Sequence, residues 1–318
     1  MSKRYLTVSL ILVVLGFAGC AGQESSGEED SSTSTFEIGL IGDFPYDAEK
    51  EVQAESMFDE LNGEELAFIV HDGDIKSGSS PCDDEVFNRE LERFESSENP
   101  LIYTPGDNEW TDCHRTGYEP NERLQKLRET FFTGSESFGK NSIELTRQSE
   151  DYPENARWSH GGVTFAMLHV VGGNNGLNPD NDPDKHVARN EANLAWLEET
   201  FDAAQENDHA AVMLAIQANV FEDDTEDPSG FADFREALRQ EVVSFGRPVV
   251  LVHGDSHNFR IDKPLYAEEG EEDSRILSFT RVETFGEHDV HWVRASVDTQ
   301  NPEVFTFRPE IIEENVTQ

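Results

Sequence analysis

The sequence predicts a layered α/β fold, and three observations carry that expectation. From Phe36 onward, apolar β-rich runs alternate with segments of helical periodicity. Several of those runs end in a short acid-bearing turn that contains glycine, the kind of edge at which open α/β sheets collect ligands. Hydrophobic residues make up 36% of the 318-residue chain and Phe alone numbers 21, enough for a core that a disordered acidic chain lacks.

In chain order, residues 1–20 open with Lys3 and Arg4, continue as an apolar run over 6–17 and close on Phe17-Ala18-Gly19-Cys20. That run falls short of the ~20 residues a spanning helix needs, so it reads as a signal peptide. Its end resembles a bacterial-type lipobox, with Phe17 where Leu is usual and Cys20 as the lipidated first residue of an exported protein. A plainly cleaved signal is the alternative. Residues 21–35 are Ser/Thr/Glu-rich and read as a flexible, solvated tether. Residues 36–318 show no repeat and no break in composition and read as one domain. Strands are expected over 36–41, 67–71, 101–104, 163–171, 210–216, 248–253, 291–297 and 304–307. Between them, Val52, Met57, Phe58 and Leu61 share a helical face, as do Val86, Phe87, Leu91 and Phe94, and Leu194, Leu197 and Phe201.

Acidic residues outnumber basic ones 66 to 24, a formal net charge of −42, and loss of residues 1–19 would bring it to −44. Such a surface repels nucleic-acid backbones and anionic lipid, so no nucleic-acid binding is expected and membrane contact only through an N-terminal lipid anchor. Seven lysines against seventeen arginines, beside so much acid, point to a halophilic surface held together by screening salt. The oligomeric state is not legible. Besides Cys20 the cysteines are Cys82 and Cys113, which an oxidising compartment would pair; their loop of about 31 residues is worth ~3–4 kcal/mol in the chain-entropy model. Two free thiols is the other reading.

The turns carry the chemistry. Gly42-Asp43, Gly73-Asp74, Gly106-Asp107 and Gly254-Asp255 each follow a strand candidate, and His257 follows the last. One such turn reads equally well as a helix N-cap aspartate. Four of them would bring Asp43, Asp74, Asp107, Asp255 and His257 together, and carboxylates gathered in apolar surroundings repel unless cations compensate them. A pair of divalent cations is the economical solution.

On these residues the chain resembles the calcineurin-like metallophosphoesterase superfamily, as a histidine-poor branch. Asp43 falls on the first motif's aspartate, Asp74 on the bridging aspartate, Gly106-Asp107-Asn108-Glu109 on the third motif, and Gly254-Asp255-Ser256-His257 on the fifth; Gln217 stands in the fourth. The resemblance implies a four-layer αββα sandwich of two packed mixed sheets and a two-metal hydrolysis of a small phosphate mono- or diester. It implies that Asp74 bridges, that Asp43 and His257 hold one metal, and that Asp107, Gln217 and Asp255 hold the other, with Tyr46 a further ligand in place of the lost first histidine at Pro45. Carboxylates and an amide in place of imidazoles shift the preference towards hard cations, Mg²⁺, Mn²⁺ or Ca²⁺. Asn108 replaces the catalytic histidine and can only hydrogen-bond a phosphate oxygen, so His114 could serve as acid and Arg115 as phosphate clamp, with a Cys82–Cys113 disulfide bracing their loop; a surface ion pair of His114 and Arg115 with neighbouring acids is the alternative.

Asn174 and Asn175 are candidate amide ligands or phosphate donors at the rim, a tight turn being the alternative. Asp180, Asp182 and Asp184 lack the glycine and terminal Glu of an EF-hand loop. His71 and His253 read as packed strand ends, Ser256 lacks a nucleophile elbow, and Asn315-Val316-Thr317 is a chance-level sequon. Two rival functions stand beside the phosphoesterase: a catalytically inactive cell-surface module that keeps the fold and binds metal or ligand, and metal-assisted hydrolysis of a non-phosphate ester.

Overall fold

The computed structural model describes residues 35–177, 183–222, 228–268 and 271–316. The leader with Cys20, nearly all of the tether, Asp180, Asp182 and Thr317 lie outside the described residues, and so does the side chain of Asp184.

The described elements are β1 (Thr35–Ile41), α1 (Ala48–Asn62), β2 (Phe68–His71), α2 (Asp84–Ser96), β3 (Leu101–Tyr103), α3 (Pro120–Phe131), β4 (Thr146–Arg147), β5 (Ala156–His160), β6 (Val163–Met167), a one-turn α4 (Gly172–Asn175), α5 (Pro183–Glu206), β7 (Ala211–Ala215), α6 (Ala232–Phe245), β8 (Val249–His253), β9 (Arg260–Asp262), β10 (Phe279–Glu283), β11 (Trp292–Asp298) and β12 (Phe305–Glu310). They form two mixed sheets, ordered β12-β11-β1-β2-β3 and β4-β5-β6-β7-β8-β10-β9. β1, β2 and β3 run parallel, as do β6, β7, β8 and β10, while the remaining pairs are antiparallel.

Alternation of side chains along each strand builds the layers. Ile38, Leu40, Phe68 and Val70 from the first sheet meet Phe165, Met167, Met213, Val250 and Val252 from the second in a core between the sheets. The opposite faces are covered too. Ile41 and Ile69 pack with Met57 and Phe58 of α1, Phe87 and Phe94 of α2, and Leu127 and Phe131 of α3. Val212, Leu214, Val249 and Leu251 pack with Leu197 and Phe201 of α5 and Phe234, Leu238 and Val242 of α6. Three cores between four layers is the αββα sandwich that the resemblance implied. Local chemistry supports the ends: Asp47 caps α1 by accepting from the backbone N–H groups of Glu49 (2.8 Å) and Lys50 (2.9 Å), and Pro120 opens α3, where its missing N–H costs nothing.

Some expectations need correction. Val52 is 62% exposed; the buried face of α1 instead runs through Ala54, Met57, Phe58 and Leu61. The strand over 163–171 stops at Met167, after which Leu168, Val170 and Val171 stay buried in an irregular run towards α4. Four strands (β4, β5, β9 and β10) and helices α3 and α6 lie where no element was anticipated.

Candidate metal centre

Asp43 follows β1, Asp74 follows β2, Asp107 follows β3, Gln217 follows β7, and Asp255 and His257 follow β8. All leave the carboxyl ends of parallel strands, and the two sheets present those ends to one shared edge. Ligand atoms of Asp43, Asp74 and His257 lie within 4.8 Å of one another. His257 Nε2 is 3.5 Å from Asp43 Oδ1, and the backbone N–H of Asp255 donates to both oxygens of Asp43 at 3.1 Å. Asp74 is the hub: its Oδ2 accepts from the Tyr46 hydroxyl (3.0 Å), Asn108 Nδ2 (2.8 Å) and Gln217 Nε2 (3.3 Å), and its Oδ1 from the backbone N–H of Asn108 (3.1 Å). Gln217 Nε2 also reaches Asp107 Oδ1 at 3.2 Å. All five charged residues singled out by sequence are thus drawn to one place.

The backbone is bent to achieve this. Asp43, Asp74, Asp255 and His257 have φ of 60°, 57°, 75° and 58°, a left-handed conformation that costs non-glycine residues free energy and gathers at functional sites. Their neighbours must be small. A Cβ on Gly106 would stand 2.0 Å from Asp74 Oδ1, and one on Gly254 1.9 Å from Asp43 Oδ2, so these glycines are present for close approach.

A buried bracket holds the cluster from below. Glu109 Oε1 accepts from the Tyr103 hydroxyl (2.7 Å) and from the backbone N–H groups of Gly106 (2.7 Å) and Asp74 (3.2 Å), tying the turns after β2 and β3 together. Lys76 Nζ donates to the carbonyls of Ser77 (2.6 Å) and Asn108 (2.7 Å). The Cys82–Cys113 disulfide, with Cα atoms 5.7 Å apart, clamps the same two loops as expected.

The electrostatics call for positive charge. Burial, then Asp107, Glu109, Asp43 and Asp255, push the Asp74 carboxyl well above the usual carboxylate range. Burial, Asp112 and Glu109 push Asp107 up to about 7. Burial and the carboxylates of Asp74, Asp43 and Asp107 keep the Tyr46 phenol protonated. For His257, burial works against the charged ring, but the hydrogen bond and charge of Asp43, then Glu287 and Glu283, outweigh it and raise the pKa. Buried carboxylates this close to one another fit divalent cations: Asp43, Asp74 and His257 offer one donor set, and Asp74, Asp107 and Asp255 border a second position.

Several assignments change. Gln217 reaches the cluster through its amide N–H, because its Oε1 accepts from the backbone N–H of Gly172 at 2.6 Å, so that oxygen is engaged rather than offered to a cation. Asn174 and Asn175 point elsewhere: Asn174 Oδ1 accepts from Gly230 N at 2.6 Å, and Asn175 Nδ2 donates to Gly230 O at 3.1 Å, so both fasten the loop before α6. His114 is exposed, its Nδ1 2.6 Å from the carbonyl of Thr111 in its own turn, and no hydrogen bond joins it to the cluster. Arg115 does reach the rim. Its Nη1, Asn108 Oδ1 and Asp112 Oδ2 all lie within 3.0 Å of the point a Cβ on Gly78 would occupy, and it pairs with Asp112. His71 and His253 are fully packed strand ends, as expected; burial drives each down to about 3, with the nearby positive charge of Arg93 adding to it for His71.

One residue escaped sequence reasoning, and a second, Glu109, stood in the third motif without a role assigned to it. Asp72, fully buried, accepts from Thr284 Oγ1 at 2.9 Å while its Oδ1 has no hydrogen-bond partner among the described residues, and burial and Asp43 push its carboxyl well up. Glu109 is the bracket described above. The doubled acid in Asp72-Gly73-Asp74 was the available signal for the first. The third motif marked the position of the second but not its role, because its partners come from two separate strand ends.

No protein-family model matches the chain, and no curated protein matches it. Solved structures do. A dimetal phosphatase from Danio rerio superposes with a TM-score of 0.54 at 14% identity, over 82% of this chain and 92% of that one. GAP50, the anchor in the inner membrane complex of Plasmodium, superposes with a TM-score of 0.50 at 13% identity, over 88% of this chain and 89% of that one. At such identities likeness speaks for architecture alone. With two mixed sheets, flanking helices and the acidic turns at the shared edge, the chain has the calcineurin-like metallophosphoesterase fold.

Proposed function

We propose that the chain is an exported, lipid-anchored, metal-dependent phosphoesterase acting on a small phosphate mono- or diester. The observation that supports this reading above the others is the meeting of Asp43, Asp74, Asp107, Asp255 and His257 at one edge, four of them (all but Asp107) on backbone that is otherwise costly for such residues. Asp43, Asp74 and His257 would hold one cation, and Asp74, Asp107 and Asp255 the other. The donor set favours Mg²⁺, Mn²⁺ or Ca²⁺. When bound, the cations supply Lewis acidity, which activates water and offsets charge on phosphoryl oxygens.

The chain's own groups orient the ester. Asn108 Nδ2, the Tyr46 hydroxyl and the Arg115 guanidinium are donors grouped on one side of Asp74, suited to phosphate oxygens. The Asn108 amide has no proton to give and burial among carboxylates holds the Tyr46 phenol protonated, so these groups position rather than shuttle protons. The net charge of −42 repels long polyanions, which leaves small esters as substrates.

The test is hydrolysis of p-nitrophenyl phosphate and bis(p-nitrophenyl) phosphate in molar KCl, with Mn²⁺, Mg²⁺, Ca²⁺ or a chelator, and p-nitrophenyl acetate in parallel. Metal-dependent turnover is expected to fall at least ~10²–10³-fold in Asp74→Asn. Flat rates beside stoichiometric metal binding would instead make the chain a binding module, and turnover of the acetate alone would reassign the ester.

A further inference from the structure

The loop after β10 carries donors that the carboxylate cluster does not use. β10 runs parallel to β8, with Glu283 opposite His253, so the two strands release their loops side by side at the shared edge. The loop after β8 holds His257; the loop after β10 holds Glu287 and His288. Three contacts fix one against the other. The backbone N–H of Thr284 donates to the His253 carbonyl at 2.9 Å, and the Phe285 ring stacks on that of Phe259 at 4.5 Å. Gly286 lies so near His257 that a Cβ there would stand 2.7 Å from atoms of its side chain. The backbone N–H of Asp289 then donates to the Gly286 carbonyl at 2.9 Å, closing a turn with Glu287 and His288 at its centre.

The His257 ring therefore has two sides. Nε2 faces inward, 3.5 Å from Asp43 Oδ1 and 3.3 Å from the Tyr46 hydroxyl. Nδ1 faces Glu287, with Oε2 at 3.9 Å, and the His288 ring stands nearly perpendicular to that of His257, their centroids 6.0 Å apart. Ligand atoms of His257, Glu287 and His288 lie within 4.8 Å of one another. The carboxylate of this group is unanswered. Arg260, the cation at this end of β10, is held by Glu222 and Glu283, and among the described residues no lysine or arginine lies within ion-pair distance of Glu287. His257 and Glu287 are half-buried and His288 is exposed, so an ion reaches the group from solvent.

Two imidazoles and one carboxylate suit a borderline cation, whereas the neighbouring cluster, rich in carboxylates, suits a hard one. We infer that His257 Nδ1, Glu287 and His288 bind a borderline divalent cation, Zn²⁺ foremost, which staples the loops after β8 and β10 together. Rotation of the two outer side chains brings their donors to bonding distances of ~2.0–2.2 Å, with water in the fourth position. A neutral imidazole offers a lone pair on one nitrogen only, so Zn²⁺ on Nδ1 leaves Nε2 as a donor towards Asp43. The site does not rest on the phosphoesterase reading.

Calorimetric titration of the full chain with Zn²⁺, in constant molar KCl at neutral pH, tests this. The parent should bind one Zn²⁺ per chain more than His288→Ala does. Glu287→Gln should weaken that same increment ~10²-fold or more, because loss of a ligand's outer partner alone costs ~10–100-fold. Both variants should melt with the parent in EDTA, since neither side chain is buried. The increment should also separate Asp74→Asn from the double variant Asp74→Asn/His288→Ala, so disabling the carboxylate cluster leaves it standing. Titration with Mg²⁺ should show no difference between the parent and His288→Ala. Equal zinc stoichiometry and affinity in the parent and His288→Ala, an increment that vanishes in Asp74→Asn, or the same increment with Mg²⁺ would each overturn the inference.

Discussion

Asp43 shows how one residue can be costly to the fold and useful to the site. It sits at φ 60°, is wholly buried, and faces Asp72, Asp74 and Asp255. An L-residue there gives up ~1 kcal/mol or more of backbone free energy, and the neighbouring carboxylates add repulsion. Asn tolerates left-handed backbone better and carries no charge. Asp43→Asn should therefore melt higher than the parent in a chelator, while its stabilisation by Mn²⁺ shrinks or disappears. Thermal unfolding of both proteins in EDTA and in Mn²⁺ decides it; a variant that melts lower in EDTA would mean that the site holds no stored strain. The cluster was legible in sequence because glycine and aspartate adjoin in the chain. Asp72 was not, and Glu109 was legible only as a member of the third motif, because the significance of both lies in neighbours that other strands bring. Gln217 lies beside Asp74 and Asp107, yet which end of its amide faces them is decided by Gly172, 45 residues away.

At the level of elements, continuous apolar runs exposed the central strands, which are buried on both faces, and the missed ones explain themselves. β10 reads Phe-Thr-Arg-Val-Glu and β5 Ala-Arg-Trp-Ser-His; both carry a cation into a sheet, Arg157 of β5 lying over the Trp196 ring at 4.5 Å. Arg281 of β10 forms a two-pronged pair with Asp262 of β9 at 2.7 and 2.6 Å. A similar dependence joins α3 to the second sheet, where buried Glu154 takes Arg128 from the helix and His169 Nδ1, at 2.8 Å, from the run after β6. Burial pushes Glu154 up, but His169 and Arg128 prevail and bring it to about 2. Burial pulls His169 down to about 4 in spite of Glu154. A histidine lowered in the folded state contributes stability above its unfolded pKa of ~6.5 and loses it as pH falls towards 4. The loss amounts to about 3 kcal/mol, at 1.36 kcal/mol per unit. Urea unfolding at pH 7, 6, 5 and 4 should show this limb in the parent and a shallower one in His169→Gln, which keeps a donor for Glu154 but cannot titrate. Identical slopes would assign the acid sensitivity to other groups.

The whole molecule carries two populations of negative charge that respond to different ions. The buried one, at the metal centre, is small and specific and is answered by cations seated among its oxygens. The surface one is large: the chain's 66 acids, the buried ones included, face only 24 basic residues, and several of the latter are shared, as when Arg294 pairs with Glu37, Glu64 and Glu310 at once. The unshared excess repels itself over a range set by salt, with a Debye length of ~3 Å at 1 M and ~30 Å at 0.01 M. Dilution from molar to millimolar KCl therefore lengthens the reach of every surface charge while leaving the cores between the layers unchanged. Folding holds those charges closer together than the unfolded chain does, so the repulsion falls mainly on the native state. The melting temperature should drop continuously as KCl is withdrawn and recover with any alkali chloride, whereas sucrose, which does not screen, should fail to replace it. Stoichiometric Mn²⁺ at low salt should restore only a fixed increment, the share belonging to the buried cluster, and Asp43→Asn should remove that increment without altering the response to KCl. A melting temperature constant from molar to ~0.01 M salt would show that the surface excess is spread too thinly to govern the fold, and the acidic composition would then need another physical cause.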